Sequence, residues 1–314
     1  MLDPQAKALI DLMVARAVPA VHTLSPADAR RFYRERRTFT QPDAPAVARI
    51  DERTIAGPHG AVPLRIYHPR ESGAPLPALV YFHGGGWTIG DLDTHDVLCR
   101  QLCLGAGLVV VAVDYRLGPE HRFPAAIDDA LAAVRWVQGE AQDLGIDASR
   151  IALGGDSAGG NIAASLSILL RDASEAAPAF QLLIYPATDM RHNAPSHRVN
   201  GQGYLLTTQS IDYYRGHYLA DRAQRSDPRA SPLLATNHRG LPPALSLTAG
   251  FDPLRDEGRQ YADALSAAGN AVQYICFERQ VHGFITMGRL IDEANTAVDL
   301  CAAALRRALS AAAA

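Results

Sequence analysis

Short apolar runs alternate along the chain with stretches whose apolar residues recur every three or four positions, the pattern of strands interleaved with helices. "VARIDERTI" and "VPLRIYHP" flank the turn "GPHG" and predict an antiparallel hairpin at a sheet edge. "PALVYFHGGG" reads as a strand running into glycines, and "LVVVAVDYR" as a strand buried on both faces. "RIALGG", "FQLLIYP", "PALSLTAG" and "VQYICFE" complete eight strand candidates. Between them "FPAAIDDALAAVRWVQ", "NIAASLSILLRDA" and "DEGRQYADALSAAGN" carry helical spacing, the last stopping near Gly269. The pattern predicts an α/β protein with a mostly parallel eight-stranded sheet flanked by helices.

Two segments stand outside this alternation. Residues 1 to about 45 read as helical, with Leu9, Met13 and Val14 on one stripe, yet precede the sheet. Residues from about 188 to 225 form a long connection whose core is "GYLLTTQSIDYYRGHYL". Its aromatic and leucine content argues against disorder, so both segments are read as a cap on a single domain spanning 1–314. The Ala-rich end "CAAALRRALSAAAA" reads as a fraying helix.

Composition narrows the function classes. The 314 residues are 48% hydrophobic with a formal net charge of −3, and no basic block points to nucleic acid or an anionic membrane. The longest uncharged apolar run, "LCLGAGLVVVAV", is too short to span a bilayer, and the N-terminus lacks a signal-peptide pattern. Cys99, Cys103, Cys276 and Cys301 are too few for a disulfide framework and match no zinc spacing. A soluble cytoplasmic protein is expected, without membrane insertion or nucleic-acid partner.

The chemistry centres on "GGDSAGG", where Gly155, Ser157 and Gly159 form G-x-S-x-G between a strand and a helix. In that context the motif is a nucleophile elbow. The pattern alone would arise by chance in a chain this long with probability of roughly 0.1, so the flanking strand and helix carry the weight. A serine hydroxyl needs a neutral imidazole to take its proton and a carboxylate to orient that imidazole. With the order Ser, Asp or Glu, His, the base is read as His282 in "ERQVHGFI", one short loop after the last strand. The acid is read as Asp252, kept out of helix geometry by Pro253, with Asp256 a distant second. "HGGGW" ends another strand; its glycine amides at Gly85 and Gly86, with Ala158 and with Gly84 as an alternative, are expected to stabilise an oxyanion. Asp156 reads either as a tie to neighbouring loops or as a plain turn carboxylate. Asp114, Arg116 and Glu120 of "DYRLGPEHRFPAA" are expected to anchor the loop beneath the site. His95 and His121 lack metal-ligand spacing, and the glycines fit neither a phosphate loop nor G-x-G-x-x-G, so no metal and no cofactor are expected.

"HGGGW", "DYRLGPEHRFPAA", "GDSAGGNIA", "DPLRDEG" and "HGF", in this order over about residues 78–288, resemble the hormone-sensitive-lipase-like branch of the α/β-hydrolases, the bacterial family IV esterases. The resemblance implies the α/β-hydrolase fold with a helical cap and a Ser157–Asp252–His282 triad. It also implies an oxyanion hole from the "HGGG" loop with Ala158. The family typically has "LAPE" where this chain has "LGPE" at Leu117–Glu120, a departure expected to touch loop packing. The expected activity is hydrolysis of short- to medium-chain carboxylic esters through an acyl-enzyme. Trp87, Tyr185, Leu205, Tyr213 or Tyr214, and Phe284 are expected to line the pocket. An amidase or deacetylase on the same residues, or a non-catalytic binder, are the alternatives. The resemblance also suggests a homodimer through the edge strand "VQYICFE".

Overall fold

The computed structural model describes residues 1–310. Its strands are β1 (Arg49–Gly57), β2 (Gly60–His68), β3 (Leu76–Phe82), β4 (Val109–Val113), β5 (Ile146–Asp156), β6 (Phe180–Ile184), β7 (Ala244–Phe251) and β8 (Val272–Val281). Its α-helices are α1 (Pro4–Ala15), α2 (Pro26–Thr40), α3 (Asp96–Ala106), α4 (Ala125–Gly139), α5 (Ala158–Asp172), α6 (Pro195–Val199), α7 (Thr208–Tyr218), α8 (Arg255–Ala267) and α9 (Asp292–Ala308).

The strands form one sheet in the order β1-β2-β4-β3-β5-β6-β7-β8. β2 is antiparallel to both β1 and β4, and every other pairing is parallel, so β2 alone runs against the rest. The eight strands and the edge hairpin are those the hydrophobic pattern predicts. All five residues of β4 are buried, because helices cover both faces of the sheet there. Alternation divides them: Val109, Val111 and Val113 join Val80 and Phe82 against α4 and α5. Val110 and Ala112 join Leu79 and Tyr81 against α1, α3 and α9.

One local reading needs correction. The N-terminal stripe is narrower than the spacing predicts: Leu9 is buried, whereas Val14, in the last turn of α1, is 76% exposed. α9 begins at Asp292, well before the Ala-rich end, and the last four residues of that predicted segment lie outside the described residues. All four cysteines are free thiols. No helix among the described residues is long and apolar enough to cross a membrane.

Candidate active site

Four parallel strands deliver the site. β3 runs into Gly84–Gly86, β5 into Ser157, β7 into Asp252 and β8 into His282, all at carboxyl ends on one edge of the sheet, with β6 between β5 and β7. Between β5 and α5 the chain turns so sharply that Ser157 adopts φ 56°, ψ −114°, a conformation side-chain-bearing residues rarely occupy. Its backbone N–H is held by the Ile184 carbonyl at 2.8 Å. The flanking glycines are required by space: a Cβ on Gly155 would stand 2.3 Å from the Phe82 carbonyl oxygen, and one on Gly159 only 1.8 Å from it.

The Ser157 hydroxyl lies 2.9 Å from His282 Nε2, and His282 Nδ1 lies 2.7 Å from Asp252 Oδ2. Asp252 is fully buried, and its other oxygen accepts the Leu254 N–H at 2.8 Å, which fixes the carboxylate plane. Asn200 donates to the carbonyls of both Gly250 and Asp252 at 3.1 Å, clamping the loop that carries the acid. Nothing in the sequence around Asn200 signals this tie, because the 188–225 segment bears no motif. Asp256 accepts the Ser196 N–H and pairs with Arg255, so it stands apart from the imidazole.

The "HGGG" loop is held from below by Asp156. This buried carboxylate accepts from Tyr81 Oη at 2.8 Å and from the Gly84 N–H at 2.9 Å, and lies 3.2 Å from His95 Nε2. Burial alone would raise its pKa, but His95 and the Tyr81 hydroxyl hold the carboxyl below its ordinary range. The Gly84 amide is therefore committed. Among the described residues, the amides of Gly85, Gly86 and Ala158 meet no protein acceptor. Gly85 and Gly86 sit at φ 123° and 58°, which exposes their backbone to the cavity. His95, weighed from sequence only as a metal ligand, thus belongs to the loop support. The "LGPE" departure also has a structural reason. A Cβ on Gly118 would lie 2.5 Å from the His217 carbonyl, so the glycine lets the end of α7 approach. Arg116 forks onto buried Asp129 at 2.7 Å, and Glu120 holds Arg30 of α2 at 2.6 Å, whereas Asp114 stays 3.9 Å from His83.

His83 begins this loop, donates Nδ1–H toward the Gly84 carbonyl at 2.8 Å and stacks on Tyr115. Burial, reinforced by His95, pushes its pKa down from 6.5 to about 4. Because the unfolded chain takes up a proton that folded His83 refuses, stability is lost as pH falls from 6.5 toward 4. The expected loss from this one group is about 3 kcal/mol. Urea unfolding across this pH range should show a steeper decline for the native protein than for His83→Asn, whose amide keeps the donor to Gly84. Parallel curves would contradict this origin.

Above Ser157 lies a cavity of about 590 Å³. One side of its wall comes from α1, α2 and their connection; the other comes from residues 203–215. Trp87 and Leu205 border it, Trp87 being stacked on Tyr218 at 4.4 Å. Three of the expected pocket residues do not. Tyr185 is fully buried beside the His282 ring, 4.7 Å between centroids, and Phe284 packs behind it. Both follow strand ends, but Tyr185 packs against the imidazole and Phe284 packs on Tyr185 and Phe277, away from the cavity. Of the two tyrosines on α7, Tyr214 borders the cavity against Gly86 while Tyr213 turns to His217. No group of three or more His, Cys, Asp or Glu among the described residues is arranged to hold a metal ion.

This arrangement can activate a serine oxygen, orient the base that takes its proton, and offer free amides to a developing oxyanion. Comparison with known proteins agrees with that chemistry. A family profile with the alpha/beta hydrolase fold matches residues 79–286. Carboxylic ester hydrolase LipN of Mycobacterium tuberculosis is 46% identical over 83% of this chain and 71% of its own length. Ethyl acetate hydrolase of Pseudomonas putida is 40% identical over 98% of this chain and 99% of its own. Among solved structures, the ester-hydrolase EH1AB1 from the metagenome of Lake Arreo, complexed with a derivative of bipyridine phosphonate, superposes with a TM-score of 0.95. It is 43% identical over 98% of this chain and 99% of that one.

Proposed function

Because the chain belongs to the hormone-sensitive-lipase-like branch of the α/β-hydrolases, we propose that it hydrolyses carboxylic esters of short to medium chain length through an acyl-enzyme on Ser157. The observation that carries this reading is the unbroken hydrogen-bonded chain Ser157–His282–Asp252 beneath a partly apolar cavity. In the proposed cycle Ser157 Oγ attacks the ester carbonyl while His282 Nε2 takes its proton. The amides of Gly85, Gly86 and Ala158 receive the oxyanion, and His282 returns the proton to the leaving alcohol. Water, activated by the same imidazole, then releases the acid.

The N-terminal helices and the 188–225 segment act in this reading as the cap of one 1–314 domain, and they supply the walls that select the acyl group. The cavity's limited volume favours short and medium chains over emulsified fat. A cytoplasmic location and pairing of two copies along the open β8 edge belong to the same proposal. Turnover of 4-nitrophenyl esters from acetate to palmitate tests it. The expected profile peaks at or below about eight acyl carbons. A rate still rising beyond about twelve would overturn the chain-length claim. Cleavage of an amide faster than its matched ester would move the reading to an amidase.

A further inference from the structure

The cavity over Ser157 is walled by two arginines, and they differ in one respect. Arg215 is neutralised: it pairs with Asp212, and donates to the Met190 carbonyl and His192 Nδ1. Arg36, on α2, has no carboxylate within 4.0 Å and makes no side-chain hydrogen bond among the described residues. Its guanidinium rests 5.1 Å from the centroid of the Tyr33 ring, and both side chains border the cavity. Several other half-buried arginines reach carboxylates: Arg30 meets Glu120, Arg100 meets Asp96, and Arg116 meets Asp129, whereas Arg37 reaches only the Asp93 backbone carbonyl; Arg36 is set apart by bordering the cavity over Ser157. A guanidinium always carries its charge, and the donors of Arg36, unclaimed by any side chain or carbonyl among the described residues, border the cavity together with apolar Phe32 and Met287.

The rest of the lining has the sign such a ligand needs. Asp156 is the one carboxylate bordering the cavity among the described residues, and it is consumed beneath the "HGGG" loop. His22 also borders the cavity and holds a buried Nδ1 without a hydrogen-bond partner. Glu35 borders only an adjoining chamber of about 330 Å³ between α1 and α2, where its side chain is 68% exposed and faces Arg31.

We propose that Arg36 is a specificity residue for esters that carry a carboxylate, such as monoesters of dicarboxylic acids, and that it binds the substrate's unreacting carboxylate. This rests on the esterase reading of Ser157 and names the substrate class for it. Arginine and carboxylate match as a two-donor fork, and the partly closed cavity limits screening by salt.

The test compares kcat/KM for carboxylate-bearing and neutral esters, in the native protein and in Arg36→Gln. Mono-4-nitrophenyl glutarate, adipate and suberate are paired with neutral 4-nitrophenyl esters of equal length. 6-Acetoxyhexanoate is paired with hexyl acetate, to separate a carboxylate on the acyl side from one on the alcohol side. The expected result is a charged-to-neutral ratio that falls about tenfold or more in Arg36→Gln for at least one pair. A ratio unchanged for every pair overturns the proposal, whatever happens to the absolute rates. Calorimetric binding of monoethyl adipate to Ser157→Ala, with and without Arg36→Gln, reads the same contact without turnover. Weakening by about tenfold supports it, and equal affinity overturns it. Absence of turnover on all esters by the native protein would instead count against the esterase reading.

Discussion

Ser157→Ala is expected to lower kcat for a short-chain 4-nitrophenyl ester by about a millionfold while leaving the fold intact. In the proposed cycle this hydroxyl is the group whose oxygen bonds to the substrate, and among the described residues no other side chain hydrogen-bonds His282 Nε2. The residual rate should still exceed the uncatalysed reaction by roughly a thousandfold, because Gly85, Gly86 and Ala158 keep their free amides. Removing the hydroxyl relieves little of the strained φ of 56°, which is imposed by the packing of Gly155 and Gly159 on Phe82. Circular dichroism and thermal unfolding should therefore match the native protein. A loss smaller than about a hundredfold would place the nucleophile elsewhere.

Asp252→Asn should cost about 10⁴ in kcat, and the hydrogen bonds say why. Oδ1 of Asp252 accepts the Leu254 N–H, so an asparagine in its place must keep its oxygen on that side. Its amide nitrogen then faces His282 Nδ1, where the carboxylate now stands at 2.7 Å. A donor facing Nδ1 forces the ring proton onto Nε2, and Nε2 can then no longer accept the proton of Ser157. The expected signature is a fall in kcat with KM nearly unchanged, because Asp252 is buried behind the imidazole and borders no part of the cavity. A fall of less than about tenfold would mean that His282 is oriented by something other than Asp252.

Much of this arrangement is legible in the sequence because each part sits where a strand stops. "GGDSAGG", "HGGGW" and the loops bearing Asp252 and His282 each follow an apolar run, and a parallel sheet brings such ends together. Side-chain direction just past a strand end is not legible in the same way. Tyr185 and Phe284 occupy promising positions, but Tyr185, at φ 34°, packs against the His282 ring and Phe284 packs behind Tyr185, both fully buried. On α7 the adjacent Tyr213 and Tyr214 differ by about 100° around the helix, and only the packing on Gly86 decides between them. Arg36 escapes notice for a different reason. Within "RRFYRERR" it looks like one more charge on a solvated helix face, and only the fold shows that its face turns toward Ser157. The buried supports, Asn200 and the His95–Asp156–Tyr81 cluster, join residues far apart in the chain whose local patterns are ordinary.

The proposed mechanism stands on an acyl group carried by Ser157 with His282 as its base. It is tested most directly by reacting the native protein with a 4-nitrophenyl alkylphosphonate and locating the adduct by mass spectrometry. One equivalent of 4-nitrophenolate should be released, with one phosphonyl group on the peptide containing Ser157 and esterase activity lost in proportion. An adduct on another residue, or full activity surviving without any adduct on Ser157, would contradict it.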